Sequence, residues 1–145
     1  MPDGFAVPRE LVRPEFRLEP LGPQHNEADH EAWTSSIEHI RATPGFPIGR
    51  WPVPGMPLEE NLADLRRHAD DFTRRVGFTY TVLEVPGGRV IGCVYIYPSR
   101  VAQGVTDVRS WVRADRADLD VPLHDAVAAW LDDDWPFTEV SYASR

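Results

Sequence analysis

Two adjacent runs of strand-forming residues constrain the fold of this chain more than any other feature. Residues 78–84 alternate, with Phe78, Tyr80 and Val82 on one face, and residues 89–97 follow after a Pro-Gly-Gly turn. Two such runs joined by a glycine-containing turn are typical of a β-hairpin. The second run is apolar on both faces, which indicates a strand inside a sheet with helices on both sides.

Apolar periodicity predicts the other elements. Steps of three and four predict helices over residues 24–41, 58–76 and about 120–132. Alternation predicts strands over residues 16–19, 105–112 and 138–142. The connection before residue 105 is too short for a crossover helix, so residues 105–112 should pair antiparallel to the preceding strand. We expect an α/β (α+β) fold in the order β-α-α-β-β-β-α-β, with a mixed, mostly antiparallel sheet flanked by helices.

Length and charge limit the classes of function. A chain of 145 residues corresponds to one domain, here 1–145. A net charge of -8 and a pI near 5.0 disfavour nucleic acid and anionic membranes as partners. No apolar run reaches the roughly 20 residues that span a bilayer, and the first ten residues lack the features of a signal peptide. We therefore expect a cytoplasmic protein with no membrane or nucleic-acid partner.

Cysteine and histidine usage gives little sign of redox or metal chemistry. The single cysteine, Cys93, lies inside the apolar run V-I-G-C-V-Y-I-Y, which favours a small buried hydrophobe over a reactive thiol. The five histidines show neither an H-x-H nor an H-E-x-x-H spacing. We expect no metal site.

From about Phe16 onward, the element order and the hairpin F-T-Y-T-V-L-E…R-V-I-G-C-V-Y-I-Y resemble the GNAT superfamily of acyl-CoA-dependent N-acyltransferases. The resemblance implies transfer of an acetyl group from acetyl-CoA to the amine of a small molecule or peptide. In that family the diphosphate of the cofactor lies on backbone amides between the fourth strand and the third helix. The matching turn here gives the candidate cofactor-binding residues Trp111, Val112, Arg113, Arg116 and Ala117.

The turn departs from the family pattern, because it has no glycine and carries Asp115, Asp118 and Asp120. Two interpretations follow. Either Asp118 or Asp120 caps the helix and takes the place of a phosphate, or the two arginines face inward and bind it. The chain also ends after the fifth expected strand, so we expect a GNAT-like fold shortened at its C-terminus.

Acyl transfer needs a base that takes a proton from the amine. The first candidate is Asp107, which shares a strand face with Arg109 and Trp111, and the second is Glu84 at the end of the hairpin. A plainer role for Asp107 is to pair with Arg109 or to face solvent.

Four aromatic residues are candidates for substrate binding. Phe46 and Trp51 lie in a loop, residues 44–57, whose five prolines and three glycines exclude regular structure. Tyr95 and Tyr97 alternate to one face of their strand. Each pair has a plainer interpretation, a loop that covers the core for the first and core packing for the second.

The expected function is therefore an N-acetyltransferase. The alternative is a non-catalytic GNAT-like domain that binds a ligand or another protein, as the aspartates and the shortened C-terminus suggest. A homodimer is a further expectation, because pairing with a second copy would cover the edge of the last strand.

Overall fold

A single mixed sheet of six strands organises the chain, and a computed structural model describes residues 1–47 and 50–145. The strands lie side by side in chain order, β1 (Leu11–Val12), β2 (Phe16–Pro20), β3 (Phe78–Glu84), β4 (Val90–Pro98), β5 (Val105–Val112) and β6 (Glu139–Tyr142). Neighbours are antiparallel except β5 and β6, which are parallel. This confirms the expected fold class.

In the described part of the chain, four α-helices cover the sheet, α1 (Asn26–Thr34), α2 (Ile37–Arg41), α3 (Leu58–Thr73) and α4 (Asp120–Asp134). Short 3-10 segments precede α1 and α4, at Pro23–His25 and Ala114–Leu119. One apolar cluster packs the sheet against α4, and another packs its opposite face against α1, α2 and Leu65 of α3. Helices therefore cover both faces, as the doubly apolar β4 predicted.

The helix predicted over residues 24–41 is two helices. The break falls at Ser35 and Ser36, where the Ser35 hydroxyl donates to the carbonyl of Ala32 at 3.0 Å. The Ser36 hydroxyl accepts a hydrogen bond from the backbone amide of Ala114 at 2.9 Å. Serine hydroxyls that bond the backbone in this way compete with helical hydrogen bonds. The break thus ties the α1–α2 corner to the turn after β5.

Helix α3 ends at Thr73, three residues before the predicted end. Arg75 adopts a left-handed backbone with φ of 61°, which turns the chain before Gly77. The apolar spacing that predicts this helix also places Leu58 and Val76 on its inward face, but both are exposed because they lie at or beyond the helix ends. Their assignment to the core was wrong.

The structure also shows how deeply Cys93 is buried and whether any described helix could cross a membrane. Cys93 is fully buried, and burial raises the pKa of its thiol well above the usual value, so it packs as a small hydrophobe. Across residues 1–47 and 50–145, every helix is too short or too polar to cross a membrane.

We predict that Gly92→Ala destabilises the fold by about 1 to 3 kcal/mol. Gly92 lies in β4 between Val82 and Val112, and a Cβ there would lie 2.4 Å from the carbonyl oxygen of Trp111. Because that atom is backbone in a neighbouring strand, it has little room to move. Urea unfolding measures the change. Gly4→Ala, whose Cβ would meet nothing within 4 Å, is the control, and equal stability of the two variants would contradict the prediction.

Candidate functional site

A cavity of about 660 Å³ opens on the sheet face that α1 and α3 cover. The antiparallel register sets Asp107 opposite Tyr97 and Arg109 opposite Tyr95, so all four side chains lie on one face of β4 and β5. The loop after α2 adds Phe46 and Trp51 to the wall. The structure thus brings together five of the candidate site residues predicted from the sequence, namely Phe46, Trp51, Tyr95, Tyr97 and Asp107. Residues 48 and 49 of the same loop lie outside the described residues.

The cavity has an aromatic wall centred on Trp51. Its ring centroid lies 6.1 Å from that of Phe46 and 6.2 Å from that of Tyr95. The guanidinium of Arg109 lies 5.4 Å from the centroid of Phe46 and 5.7 Å from that of Tyr95. The Tyr95 hydroxyl accepts a hydrogen bond from Trp111 Nε1 at 3.0 Å, which fixes the orientation of its ring.

Asp29 contributes a buried carboxylate to the same cavity. Only 4% of the residue is exposed. Asn61 Nδ2 donates to Asp29 Oδ2 at 3.2 Å, and Asn61 Oδ1 accepts from Trp33 Nε1 at 2.9 Å. Burial raises the pKa of Asp29 to about 6, although the hydrogen bond from Asn61 acts to lower it. Sequence reasoning missed this residue. The signal was present, since Asp29 lies four residues before Trp33 on the inward face of the predicted helix.

His68, on α3, is a second polar residue that the sequence analysis missed. The Tyr97 hydroxyl donates to Asp71 Oδ2 at 2.8 Å, so its oxygen accepts from His68 Nδ1, also at 2.8 Å. Thr79 Oγ1 lies 3.0 Å from the same nitrogen. Burial, and then the nearby charge of Arg67, lower the pKa of His68 to about 4. His68 is therefore a neutral imidazole at pH 7 that holds Tyr97 in place at the cavity wall.

The turn after β5 is a network of ion pairs rather than an open cradle. The Arg113 guanidinium binds the carboxylates of Glu31 and Asp115, the latter at 3.1 Å. Arg116 binds Glu84 and also Asp118, the latter at 3.2 Å. Arg89 joins the network through Asp115 at 3.1 Å and Glu84 at 3.5 Å. Three arginines therefore face four carboxylates, a net charge of -1.

Glu84, the second candidate base, belongs to this network. The hydrogen bond from Arg116 lowers the pKa of the Glu84 carboxyl, which holds it as a carboxylate committed to the arginine. Glu84 therefore lies in the ion-pair network of the turn, whereas Asp107 lines the cavity. The two candidate bases therefore serve different parts of the molecule.

The interpretation of Asp118 or Asp120 as the helix cap is wrong. The 3-10 segment begins after Arg113 and α4 after Leu119, and for the described chain neither cap position has a side-chain hydrogen bond. Asp120 instead accepts from Arg145 Nε at 2.7 Å, and Asp118 binds Arg116.

The other candidate cofactor-binding residues, Trp111, Val112 and Ala117, differ in how much of their surface is exposed. Trp111 and Val112 are fully buried and paired with β4, so neither exposes surface to a ligand. Ala117 lies in the 3-10 segment, where its carbonyl accepts from the amide of Asp120.

Comparison with known proteins shows the fold. No family model and no curated protein matches the sequence. Among solved structures, the ribosomal-protein-S5-alanine acetyltransferase of Vibrio fischeri is 10% identical with a TM-score of 0.68, covering 92% of this chain and 72% of that one. A GCN5-related N-acetyltransferase of Brucella melitensis is 17% identical with a TM-score of 0.63, covering 89% and 57%.

A third match is the microcin C7 self-immunity acetyltransferase, solved with acetyl-CoA and AMP. It is 10% identical with a TM-score of 0.65, covering 83% of this chain and 63% of that one. At such identities the likeness shows the fold alone. The chain has the fold of the GNAT superfamily, which confirms the resemblance expected from the element order.

We predict that Asp29→Asn stabilises the protein at neutral pH. The folded-state pKa of about 6 is above the ordinary aspartate value of 3.8, so the folded state binds the proton more tightly than the unfolded state. Wild-type stability should therefore fall as pH rises from about 4 to above 6. At pH 7.5 the variant should be more stable by up to about 3 kcal/mol.

Urea unfolding at pH 3.5 and pH 7.5 tests this prediction. The gain should nearly vanish at the lower pH, where wild-type Asp29 is mainly protonated in both states. Glu27→Gln, which removes an exposed carboxylate from the same helix, should show neither effect. A loss of stability in Asp29→Asn at pH 7.5 would contradict the assignment of a destabilising buried charge.

Proposed function

We propose that this chain is an acyl-CoA-dependent N-acyltransferase that receives its amine acceptor, part of a small molecule or a peptide, in the cavity lined by Asp107 and Trp51. One observation carries the proposal: within a GNAT fold, the register of β4 and β5 sets a half-buried carboxylate beside an aromatic wall. An amine must be unprotonated before it attacks a thioester, so the acceptor site needs a base.

In this proposal Asp107 takes the proton from the amine, and the aromatic residues hold the carbon skeleton of the acceptor. Phe46, Trp51 and Tyr95 present ring faces and edges to the cavity. Tyr97 lies opposite Asp107 and is itself held by His68 and Asp71. These contacts restrict the rotamers of the wall, which favours a defined pose for the acceptor.

Acetyl-CoA would supply the activated acyl group as a thioester, and Arg113 and Arg116 are the residues that would hold its diphosphate. Their partners Glu31, Asp115 and Asp118 have side chains that are 64%, 54% and 64% exposed. In each of these pairs the carboxylate faces water, whereas the Arg113 and Arg116 side chains are only 10% and 22% exposed. These arginines therefore need an anion in place of the carboxylates, and a diphosphate binds arginine bidentately. The turn fits the diphosphate once these three carboxylates turn to solvent.

A second candidate function is a non-catalytic domain that binds its ligand in the cavity without acyl-CoA. The observation that favours it is the net charge of -1 at the turn, together with the use of the Ala114 amide by Ser36. Binding of the cofactor distinguishes the two candidates.

We predict that acetyl-CoA binds the wild-type protein and that removal of carboxylates at the turn tightens the binding. Asp115→Asn and Asp118→Asn should each lower the Kd by about twofold to fivefold, because each removes a negative charge near the diphosphate. Arg113→Ala with Arg116→Ala should raise the Kd at least about tenfold. Isothermal titration calorimetry at low salt measures all four proteins.

The matched control is Asp132→Asn with Asp133→Asn, which removes two exposed carboxylates at the far end of α4 and should leave the Kd unchanged. Asp107→Asn should bind acetyl-CoA normally and lose acyl transfer, measured as release of the free thiol with a panel of amines. Absence of heat at millimolar acetyl-CoA in the wild type and both Asp→Asn variants would overturn the transferase proposal in favour of the second candidate.

We also propose a cytoplasmic homodimer. In the part of the chain that the structure describes, β6 pairs with β5 on one side and has no strand on the other, and Val140 on β6 is 39% exposed. An open edge of this kind favours pairing with a second copy. The buried single cysteine is compatible with a reducing compartment.

We predict that light scattering gives a mass of twice 16.4 kDa. Val140→Lys, which places like charges on the two paired edges, should give the monomer mass. A monomer in the wild type at high micromolar concentration would contradict the homodimer.

A further inference from the structure

The carboxylate of Asp29 is a buried charge at the floor of the cavity. Among the described residues no arginine, lysine or histidine nitrogen lies within salt-bridge distance of it. Its hydrogen bond comes from the neutral side chain of Asn61 at 3.2 Å. The other carboxylates of the cavity differ from Asp29. Asp64 has a cationic partner, Arg67, at 3.4 Å, and Asp107 is only half-buried.

An ionised carboxylate in such a place is costly unless a cation or several donors compensate it. Although burial raises the pKa of Asp29 to about 6, the group is mainly ionised at pH 7.5. One amide donor does not replace the water that the carboxylate has lost. Binding of a positive charge at Asp29 would therefore be favourable. The cavity that Asp29 lines gives a cation access to it.

The surroundings of Asp29 define the chemistry of the cation. In residues 1–47 and 50–145 no group of three or more histidine, cysteine, aspartate or glutamate side chains is placed to hold a metal ion. Aromatic rings stand close by instead. Trp33, whose indole binds the same Asn61, lies 5.3 Å from Trp51 by ring centroid, and the pKa of Tyr95 is raised by burial, by Cys93 and by the charge of Asp29.

We infer that Asp29 is a positioning residue that binds the ammonium group of an organic amine, with the carbon skeleton of that amine against Trp51, Phe46 and Tyr95. Ring faces attract cations, and a carboxylate forms charge-assisted hydrogen bonds with an ammonium group. No proton transfer is assigned to Asp29. The inference rests on the cavity being the acceptor site of the proposed function, and it adds the charge state in which the acceptor arrives.

The arginines of the cavity do not cancel this charge. Arg50, Arg67, Arg100 and Arg109 line the cavity and are exposed, so water and salt screen them. Asp29 lies in the enclosed part, where electrostatic interactions are stronger. The arrangement favours a ligand whose ammonium group enters first and whose other end is neutral or anionic.

A pair of probes of equal shape tests the inference in the absence of acyl-CoA. At pH 8, 2-phenylethylamine carries an ammonium group and 2-phenylethanol does not. Calorimetry on the full-length wild type should give the amine a Kd at least about tenfold lower than that of the alcohol. In Asp29→Asn the preference should disappear through weaker binding of the amine, with the Kd of the alcohol unchanged.

Glu27→Gln, on the solvent face of the same helix, should keep the wild-type preference. Folding of Asp29→Asn is checked by its urea midpoint, which should be no lower than that of the wild type. Equal binding of amine and alcohol by the wild type, or a preserved preference in Asp29→Asn, would overturn the inference. Because acetyl-CoA is absent, failure of cofactor binding and failure of ammonium binding are separate results.

Discussion

The pairing register of β4 with β5 is the constraint on which the site depends. It sets Tyr97 opposite Asp107 and Tyr95 opposite Arg109. Because side chains alternate with a period of two, a slip of one residue would carry this whole set to the face packed against α4. Gly92 helps to hold the register, since the carbonyl of Trp111 occupies the space of a Cβ there. One backbone arrangement thus decides both the core and the cavity.

Strand β5 joins two sites of opposite electrostatic character. At the turn that follows it, the arginines are satisfied by carboxylates of the chain, so an incoming anion must compete with them. In the cavity beside its first half, Asp29 has an amide donor and no salt-bridge partner among the described residues, although the guanidinium of Arg109 already lies over Phe46 and Tyr95. The electrostatics therefore favour binding of a cation in the cavity over binding of an anion at the turn, whichever function the chain performs.

Local patterns predicted the strands well, because alternation and a glycine-containing turn are properties of adjacent residues. The bounds of β3 and β5 are those expected. Features set by distant partners were missed. The helix break at Ser36 depends on the amide of Ala114, 78 residues away, and the commitment of Glu84 depends on Arg116, 32 residues away. Asp29 is different, since its spacing from Trp33 placed it on the inward face of the predicted helix, and only its hydrogen bond from Asn61 depends on a distant residue.

The GNAT fold does not by itself decide between catalysis and binding, because one fold supports many functions. Two of the carboxylates that line the cavity, Asp107 and Asp29, bear on that question in different ways. Asp107 is half-buried on a strand beside a second polar group, which suits proton transfer, whereas Asp29 is enclosed and lowers the stability of the fold while ionised. Above the raised pKa of Asp29, where the group is ionised, a bound cation would compensate its charge. The ammonium binding that we infer for Asp29 would serve either candidate function, because it places the ligand against the aromatic wall of the cavity.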